Sequence, residues 1–522
     1  MTLAKQLGLV ALTASLLAFC ASAKPSEPIP QPAKPTLLLF ITVDQLRADY
    51  LDRFRPQLTG GLARLAKGGA LFTDAHQDHA ITETAPGHAS TMSGRFPRST
   101  GITRNVAGVN DPKSPLIGAT DLGASPFRFR GTTLTDWLTT ADPKTRAFSV
   151  SSKDRGAILP IGRSKQDVYW FANNGTFTTS VYYRDTLPSW IAAFNARRLP
   201  HHYAGQAWNL LLPADQYSEP DSVPAESGGR DFVFPHPFPT DSAAAAAAMR
   251  YTPMIDQLTL DFALEGLHRL DLGRGPTTDV LAISLSATDY VGHFFGPGSR
   301  ELHDQILRLD RSLGAFLDSL YAIRDSAQVV IALTADHGVG QIPELNNAIR
   351  VSLDPAIMAA RALIVAGGGD STAVELESGA LFLDSRKLGN QNADKVVSTF
   401  MTAARAIVGV MRVDKWSDLK KMNPRKDEIA RRWAQMFPDD IAPVVAVTLK
   451  PGNIANYPIT ATHGSPHRYD SNVPIIFYGA PFKPGRYSDF VRTVDIAPTL
   501  AKVLGVTPTE SLDGHPLLEA VR

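Results

Sequence analysis

Leu37-Leu38-Leu39-Phe40-Ile41-Thr42-Val43 is a continuous apolar run of strand length, and an acidic residue, Asp44, ends it. A strand with one wet face alternates apolar and polar residues, and this one does not. A run of this kind suits a parallel strand buried on both faces. Similar runs occur at Ala147 to Val150, Val280 to Leu285, Val329 to Leu333 and Ile475 to Tyr478. Helical patterns lie between them. Leu302, Ile306, Leu309, Leu313, Phe316 and Leu320 form one apolar stripe by alternating steps of four and three. Thr240-Asp241-Ser242 offers N-caps ahead of the strong helix formers Ala243 to Ala248. Strands alternating with helices predict an α/β fold, a mostly parallel doubly wound sheet flanked by helices. Two stretches break the alternation, about 162–239 and 340–456, the second with a charged helix expected around Lys420 to Arg432. Both are expected to be inserted regions that cap the sheet.

The chain has 522 residues, of which 44% are apolar and 20% charged, as in a soluble protein with a sizeable core. A net charge of +1 shows no bias toward nucleic acid or an anionic membrane. Lys5, the apolar stretch Leu7 to Phe19 and the small-x-small pattern Ala21-Ser22-Ala23 read as a cleaved signal peptide over 1–23, hence a periplasmic or secreted protein. Leu17-Ala18-Phe19-Cys20 partly imitates a lipobox, but Phe19 is too large before a lipidated cysteine. No downstream run reaches the roughly 20 apolar residues a membrane span needs. Residues 24–35 hold five prolines and read as an extended tether before one catalytic domain over 36–522. Cys20 is the single cysteine, so any metal in the mature chain must be held by histidine and carboxylate.

Ligands of open α/β sheets bind beyond the carboxyl ends of the strands. Asp44 ends the first run. Asp289 follows the third, with His293 four residues later. Asp336-His337 follows the fourth, and His463 stands shortly before the last. One aspartate at a strand end is usually a cap, and one histidine usually a surface or core residue. Three of each at one kind of place suit zinc, and six such ligands suffice for two ions, the usual clamp for phosphoryl displacement. A nucleophile candidate lies in Thr82-Glu83-Thr84-Ala85-Pro86-Gly87-His88-Ala89-Ser90, where Thr84 competes with Thr82, Ser90 and Thr91. The small residues after Thr84 would let a helix N-terminus approach a phosphate closely.

Val43-Asp44-Gln45-Leu46-Arg47, Thr84-Ala85-Pro86-Gly87-His88, Thr288-Asp289-Tyr290-Val291-Gly292-His293, Ala335-Asp336-His337-Gly338 and Thr462-His463-Gly464 occur in order across nearly the whole mature chain. Together with Thr493 to Leu500 and Asp513-Gly514, this set resembles the alkaline phosphatase superfamily, specifically its bacterial phosphate-irrepressible, threonine-nucleophile branch. The resemblance implies a phosphoric monoester hydrolase with two zinc ions and a phosphothreonine intermediate on Thr84. It assigns Asp289, His293 and His463 to one zinc. Asp44, Asp336, His337 and the Thr84 oxygen go to the other.

The same fold and zinc pair serve nucleotide pyrophosphatase/phosphodiesterases, so the metal ligands do not choose between monoester and diester. Ser151-Ser152-Lys153-Asp154-Arg155-Gly156 does bear on it. Lys153 and Arg155 project to one side if the backbone is extended, and two such cations suit a dianion. An isolated Lys-x-Arg is more often a solvated turn, but this stretch is similar to the monoesterase branch. Asn105, also implied as a phosphate ligand, has a counterpart in the diesterase branch and does not discriminate. A sulfatase would need a cysteine or serine where Thr84 stands. A periplasmic phosphate- or metal-binding protein would not need a hydroxyl between two metal sites. The expected partners are small phosphate monoesters, with a monomer or weak oligomer. His76, His79, His201, His202 and His236 are expected in surface or core roles.

Overall fold

The structure, a computed structural model, describes residues 34–522. The expected signal peptide and nearly all of the proline-rich tether lie outside the described residues. Every residue of Leu37–Val43 (β1) is buried. The pleat sends Leu37, Leu39, Ile41 and Val43 into one apolar cluster, and Leu38 and Phe40 into another on the opposite face. Burying each such side chain contributes about 1.5–3 kcal/mol before entropy is set against it. Along the chain follow Ala70–His76 (β2), Ala147–Ser151 (β3), Asp167–Phe171 (β4), Phe177–Thr178 (β5), Asp279–Leu285 (β6) and Val329–Thr334 (β7). Next come Val374–Glu377 (β8), Ala380–Leu383 (β9), Val410–Lys415 (β10) and Val445–Leu449 (β11). Asn472–Tyr478 (β12), Gly485–Tyr487 (β13) and Val491–Arg492 (β14) close the series.

The main sheet has ten strands in the order β13-β2-β12-β7-β1-β6-β3-β4-β5, with β14 paired to β2. From β7 to β4 all neighbours are parallel, and Leu37 lies between Asp279 and Val329. The sheet is therefore mostly parallel, as the apolar runs predict. One strand departs from that reading: β12, the last run, is antiparallel to β2 and β7. A continuous apolar run reports burial on both faces, and β12 has that burial without sharing the direction. Met254–Arg269 and Arg300–Ile323 cover one face; Thr84–Ser93 and Ile496–Leu504 cover the other. Leu302, Ile306, Leu309, Leu313, Phe316 and Leu320 are all buried, so the stripe packs as predicted. Asp241 caps Ser242–Ala248, its Oδ1 accepting from Ala244 N–H at 2.8 Å.

The range 162–239 begins inside the main sheet, since it supplies β4 and β5 before turning to two-residue strands and short turns. The range 340–456 builds an antiparallel sheet in the order β8-β9-β11-β10. Asp354–Ala366 and Ala393–Arg405 pack on it around Val374, Leu381, Phe400 and Val413. The charged helix expected over Lys420 to Arg432 is broken. Trp416–Leu419 and Glu428–Ala434 are separate, because Pro424 cannot continue a helix and restricts Asn423 before it.

Candidate active site

β1, β6 and β7 lie side by side and parallel, so Asp44, the Ser286–Asp289 turn and Asp336-His337 emerge at one edge. β3, beside β6, delivers Lys153 to that edge two residues after its end. The antiparallel direction of β12 is what brings in His463, because the segment entering such a strand lies where the parallel strands leave. β2 ends at His76 and feeds the loop to Thr84, the first residue of Thr84–Ser93.

Asp289 and His293 sit one helical turn apart in Ala287–Phe295, with His293 Nε2 3.2 Å from Asp289 Oδ1. His463 Nε2 is 3.5 Å from the same oxygen. On the other side of Asp289, His337 Nε2 lies 3.4 Å from Asp44 Oδ1, 3.6 Å from Asp336 Oδ2 and 3.4 Å from Thr84 Oγ1. The His337 and His463 rings stack at 3.5 Å between centroids. Among the described residues, two groups have ligand atoms close enough to share a metal ion: Asp289 with His293 and His463, and Asp44 with Asp289 and His337. The first matches the set implied by the sequence. The second takes Asp289 where the sequence reading has Asp336, whose carboxylate is turned toward other donors. Asp336 Oδ1 accepts from the Gln45 and His337 backbone N–H groups at 3.1 and 3.0 Å.

The donor chemistry fits divalent cations. Each of the three histidines points Nδ1 at a backbone carbonyl: His293 at Ala461 (2.8 Å), His463 at Thr82 (2.7 Å) and His337 at Gly338 (3.0 Å). Nδ1 must then carry the proton, which leaves Nε2 a free lone pair facing the carboxylates. Asp44 Oδ1 is buried without a hydrogen-bond partner, Asp44 Oδ2 meets only Lys153, and Asp336 Oδ2 faces His88 at 3.0 Å. The Lys153 ammonium stands where positive charge is wanted, 2.6 Å from Asp44 Oδ2 and 2.5 Å from Asp289 Oδ2. Burial pushes the Asp44 carboxyl well above its usual range, and the Asp289 and Asp336 charges add to this. Burial also acts to raise Asp289, but His293 and Lys153 outweigh it and hold that group low. Lys153 is raised despite burial, because Asp289 and Asp44 face it. Burial lowers His337 to about 3, so its ring is neutral, as a ligand must be.

Two sequence expectations take a different physical form. Among the small residues after Thr84, Gly87 serves the helix's contact with the Asp336 loop: a Cβ there would lie 2.2 Å from the Asp336 carbonyl oxygen. Lys153 and Arg155 do not alternate on an extended backbone. Lys153 is the extended residue before the short helix Asp154–Ile158, and Arg155 sits in its first turn. Both still line one cavity of about 270 Å³, with Tyr290 and Arg250.

Sequence reasoning assigned no role to three residues. Gln45 is held at φ 67°, a cost of about 1–3 kcal/mol for a non-glycine residue. There its amide Nε2 donates to Asp289 Oδ1 at 2.7 Å. Its signal was its place, directly after a ligand at a strand end. His88 contacts the Thr84 carbonyl (2.9 Å), Ser284 Oγ (2.9 Å) and Asp336 Oδ2 (3.0 Å). Glu83 accepts from the Asn105 backbone N–H at 2.7 Å. Asn105 itself reaches the site, its Oδ1 accepting from Ala85 N–H at 2.9 Å. Neither candidate metal group includes His76, His79, His201, His202 or His236. His76 and His79 are buried, and His236 is buried against Glu301.

Residues 38–470 match the family model described as type I phosphodiesterase / nucleotide pyrophosphatase. The chain is 31% identical to alkaline phosphatase PhoV of Synechococcus elongatus, covering 94% of each chain. It is 30% identical to alkaline phosphatase PafA of Elizabethkingia meningoseptica, over 94% of this chain and 95% of that one. The crystal structure of wild-type PafA superposes with a TM-score of 0.86 at 28% identity, covering 94% of this chain and 99% of that one. Murine ectonucleotide pyrophosphatase/phosphodiesterase 5 shares the fold at a TM-score of 0.54 and 16% identity, covering 93% of this chain and all of that one.

Proposed function

The chain belongs to the type I phosphodiesterase/nucleotide pyrophosphatase family of the alkaline phosphatase superfamily, and we propose that it hydrolyses phosphate monoesters through a phosphothreonine on Thr84. Relatives that share about 30% of its residues over nearly the whole length are named alkaline phosphatases, and the chain is an enzyme of that kind. One observation carries the threonine assignment. Thr84 Oγ1 is buried at a helix N-terminus, 3.4 Å from His337 Nε2 and among the carboxylates that suit a cation pair.

Two zinc ions, one held by Asp289, His293 and His463 and one by Asp44, Asp336, His337 and Thr84, would supply Lewis acidity at the entering and departing oxygens. The chain's own groups do the rest. Thr84 Oγ1 attacks phosphorus, the bond to the alcohol oxygen breaks, and the phosphoryl group stays on Thr84. Water then attacks the same phosphorus, the bond to Thr84 breaks, and inorganic phosphate leaves. The positive end of the Thr84–Ser93 helix favours the negative charge that builds beside it. The Asn105 amide, Lys153 and Arg155 hold the non-bridging oxygens. Lys153 pairs with both Asp44 and Asp289, and divalent cations held by those carboxylates would free its ammonium for the substrate.

The family description supports a second reading, phosphodiester hydrolysis at the same site. Against it stand the cations Lys153 and Arg155 and the naming of the full-length relatives. The export pattern of residues 1–23 supports a periplasmic or secreted enzyme, and among the described residues no helix is long and apolar enough to cross a membrane. Acid-quenched turnover followed by peptide mass spectrometry tests the central claim. Phosphate is expected on Thr84; undiminished turnover by Thr84→Ala would replace the covalent route with direct attack by water.

A further inference from the structure

We propose that Glu83 is a positioning residue for phosphoryl binding, fixing Asn105 in place, and that Ser378 of the inserted sheet completes the hold. The inference deepens the phosphatase reading and rests on its assignment of Asn105. Asn105 Oδ1 accepts from Ala85 N–H at 2.9 Å, which settles which end of the amide is oxygen and leaves both Nδ2 hydrogens free to donate. The backbone N–H of Asn105 donates to Glu83 Oε2 at 2.7 Å. The other Glu83 oxygen, Oε1, accepts from Ser378 Oγ at 2.7 Å. Asn105 is thus gripped at its main chain and at its side chain, with only its donors left unused.

Two simpler roles for Glu83 fail. It precedes the Thr84–Ser93 helix, yet its side chain makes no capping bond to that helix. A carboxylate next to Thr84 repels a phosphate dianion, so it does not bind substrate. What remains is the link it makes, and the far end of that link is unusual. Ser378-Gly379 is the two-residue loop between β8 and β9, with φ of 47° and 77°. Such loops favour Asn, Asp or Gly at the first position, and a serine held there is a disfavoured choice. Its hydroxyl is the part that reaches Glu83. The same hairpin grips Arg104, which pairs with Glu377 and lies 4.5 Å over the Phe382 ring. The inserted sheet therefore steadies the Arg104-Asn105 loop through Ser378, Glu377 and Phe382.

The test is a double-mutant cycle on the full-length, metal-loaded enzyme, read as kcat and KM for an aryl phosphate and as inhibition by inorganic phosphate. Glu83→Ala is expected to lower kcat/KM roughly 10- to 100-fold and to weaken phosphate inhibition. Glu83→Gln keeps an acceptor for Asn105 N–H and stays within about threefold of wild type. Glu83→Ala added to Asn105→Ala is expected to cost almost nothing more, because the positioned group is gone. Additive losses, or a Glu83→Gln as damaged as Glu83→Ala, overturn the proposal. If Glu83→Ala does not fold, Ser378→Ala carries the cycle, with a smaller loss that also vanishes in the Asn105→Ala background; a loss that persists there overturns it. Wild-type turnover by Asn105→Ala would instead sink the parent assignment, so the two failures are distinguishable.

Discussion

A single methyl group at position 87 tests how Thr84, the proposed nucleophile, is held against its neighbours. The Cβ of Gly87→Ala would lie 2.2 Å from the Asp336 carbonyl oxygen and 2.7 Å from the Asp336 Cβ. Carbon and oxygen in close contact sit about 3.3–3.6 Å apart, so roughly 1 Å of separation must be found. The helix cannot yield it freely, because Ala85, Ala89 and Met92 are fully buried against the sheet. The strain therefore parts Thr84 from His337, whose Oγ1–Nε2 separation is 3.4 Å. A misplacement of about 1 Å at a reacting group lowers rates on the order of 100-fold, equivalent to about 2.7 kcal/mol in the barrier. The overpacking itself destabilises the fold by about 1–3 kcal/mol, little enough to leave a folded protein. The measurements are kcat/KM for an aryl phosphate, bound metal by elemental analysis, and a circular-dichroism melt. A folded Gly87→Ala within threefold of wild type would refute the close-contact argument.

Elemental analysis of protein prepared without chelator is expected to show close to two zinc ions per chain, and chelation to abolish turnover until zinc is restored; full activity without metal would end the metal assignment. Lys153→Ala and Arg155→Ala are each expected to lower monoester kcat/KM by about 30- to 1,000-fold, or about 2–4 kcal/mol. Diester hydrolysis should fall much less, and parallel losses would show that these cations do not discriminate. Burial, with the charges of Glu301 and Asp221, pushes Glu226 up to about 9. Its folded-state value then exceeds the unfolded one, so folding is penalised as pH rises from about 4.5 toward 9. Glu226→Gln is expected to raise Tm by about 1–3 °C at pH 8 and to leave it unchanged at pH 4; no gain at pH 8 would refute the buried-carboxyl reading.

The strands that carry the ligands were legible because burial on both faces leaves a one-dimensional mark. Leu37–Val43, Asp279–Leu285 and Val329–Thr334 are such runs, and each is followed by ligand-type residues. β2 left no such mark, since Thr73 and Asp74 in its middle are only half-buried. The direction of β12 was equally silent, because a run of apolar residues has no polarity. Yet β2 delivers Thr84 and β12 is entered through the His463 loop, so these two residues depend on strands whose placement is set by pairing. The contacts of Gln45 and Glu83 were illegible for a related reason, although Gln45 was marked by its place at a strand end. Gln45 donates to Asp289, about 240 residues away, and Glu83 is anchored by Ser378, about 300 residues away, and only the fold brings those partners near.

The charge balance of the site explains why cations and substrate belong together. Asp44, Asp289 and Asp336 are buried beside one another, and Lys153 is in contact with two of them. Adding the Arg155 guanidinium leaves three negative charges against two positive. A phosphate dianion brought to that site meets net repulsion in a region too dry to screen it. The upward push on Asp44 from its two carboxylate neighbours is the same repulsion read from inside the protein. Two divalent cations bound as proposed would reverse the sign and make the balance three positive. Binding of a dianion is then favoured more than binding of a monoanionic diester, because the attraction scales with ligand charge. The proposed preference for monoesters would therefore follow from the candidate metal ligands and from Lys153 and Arg155 acting together, with neither set producing it alone.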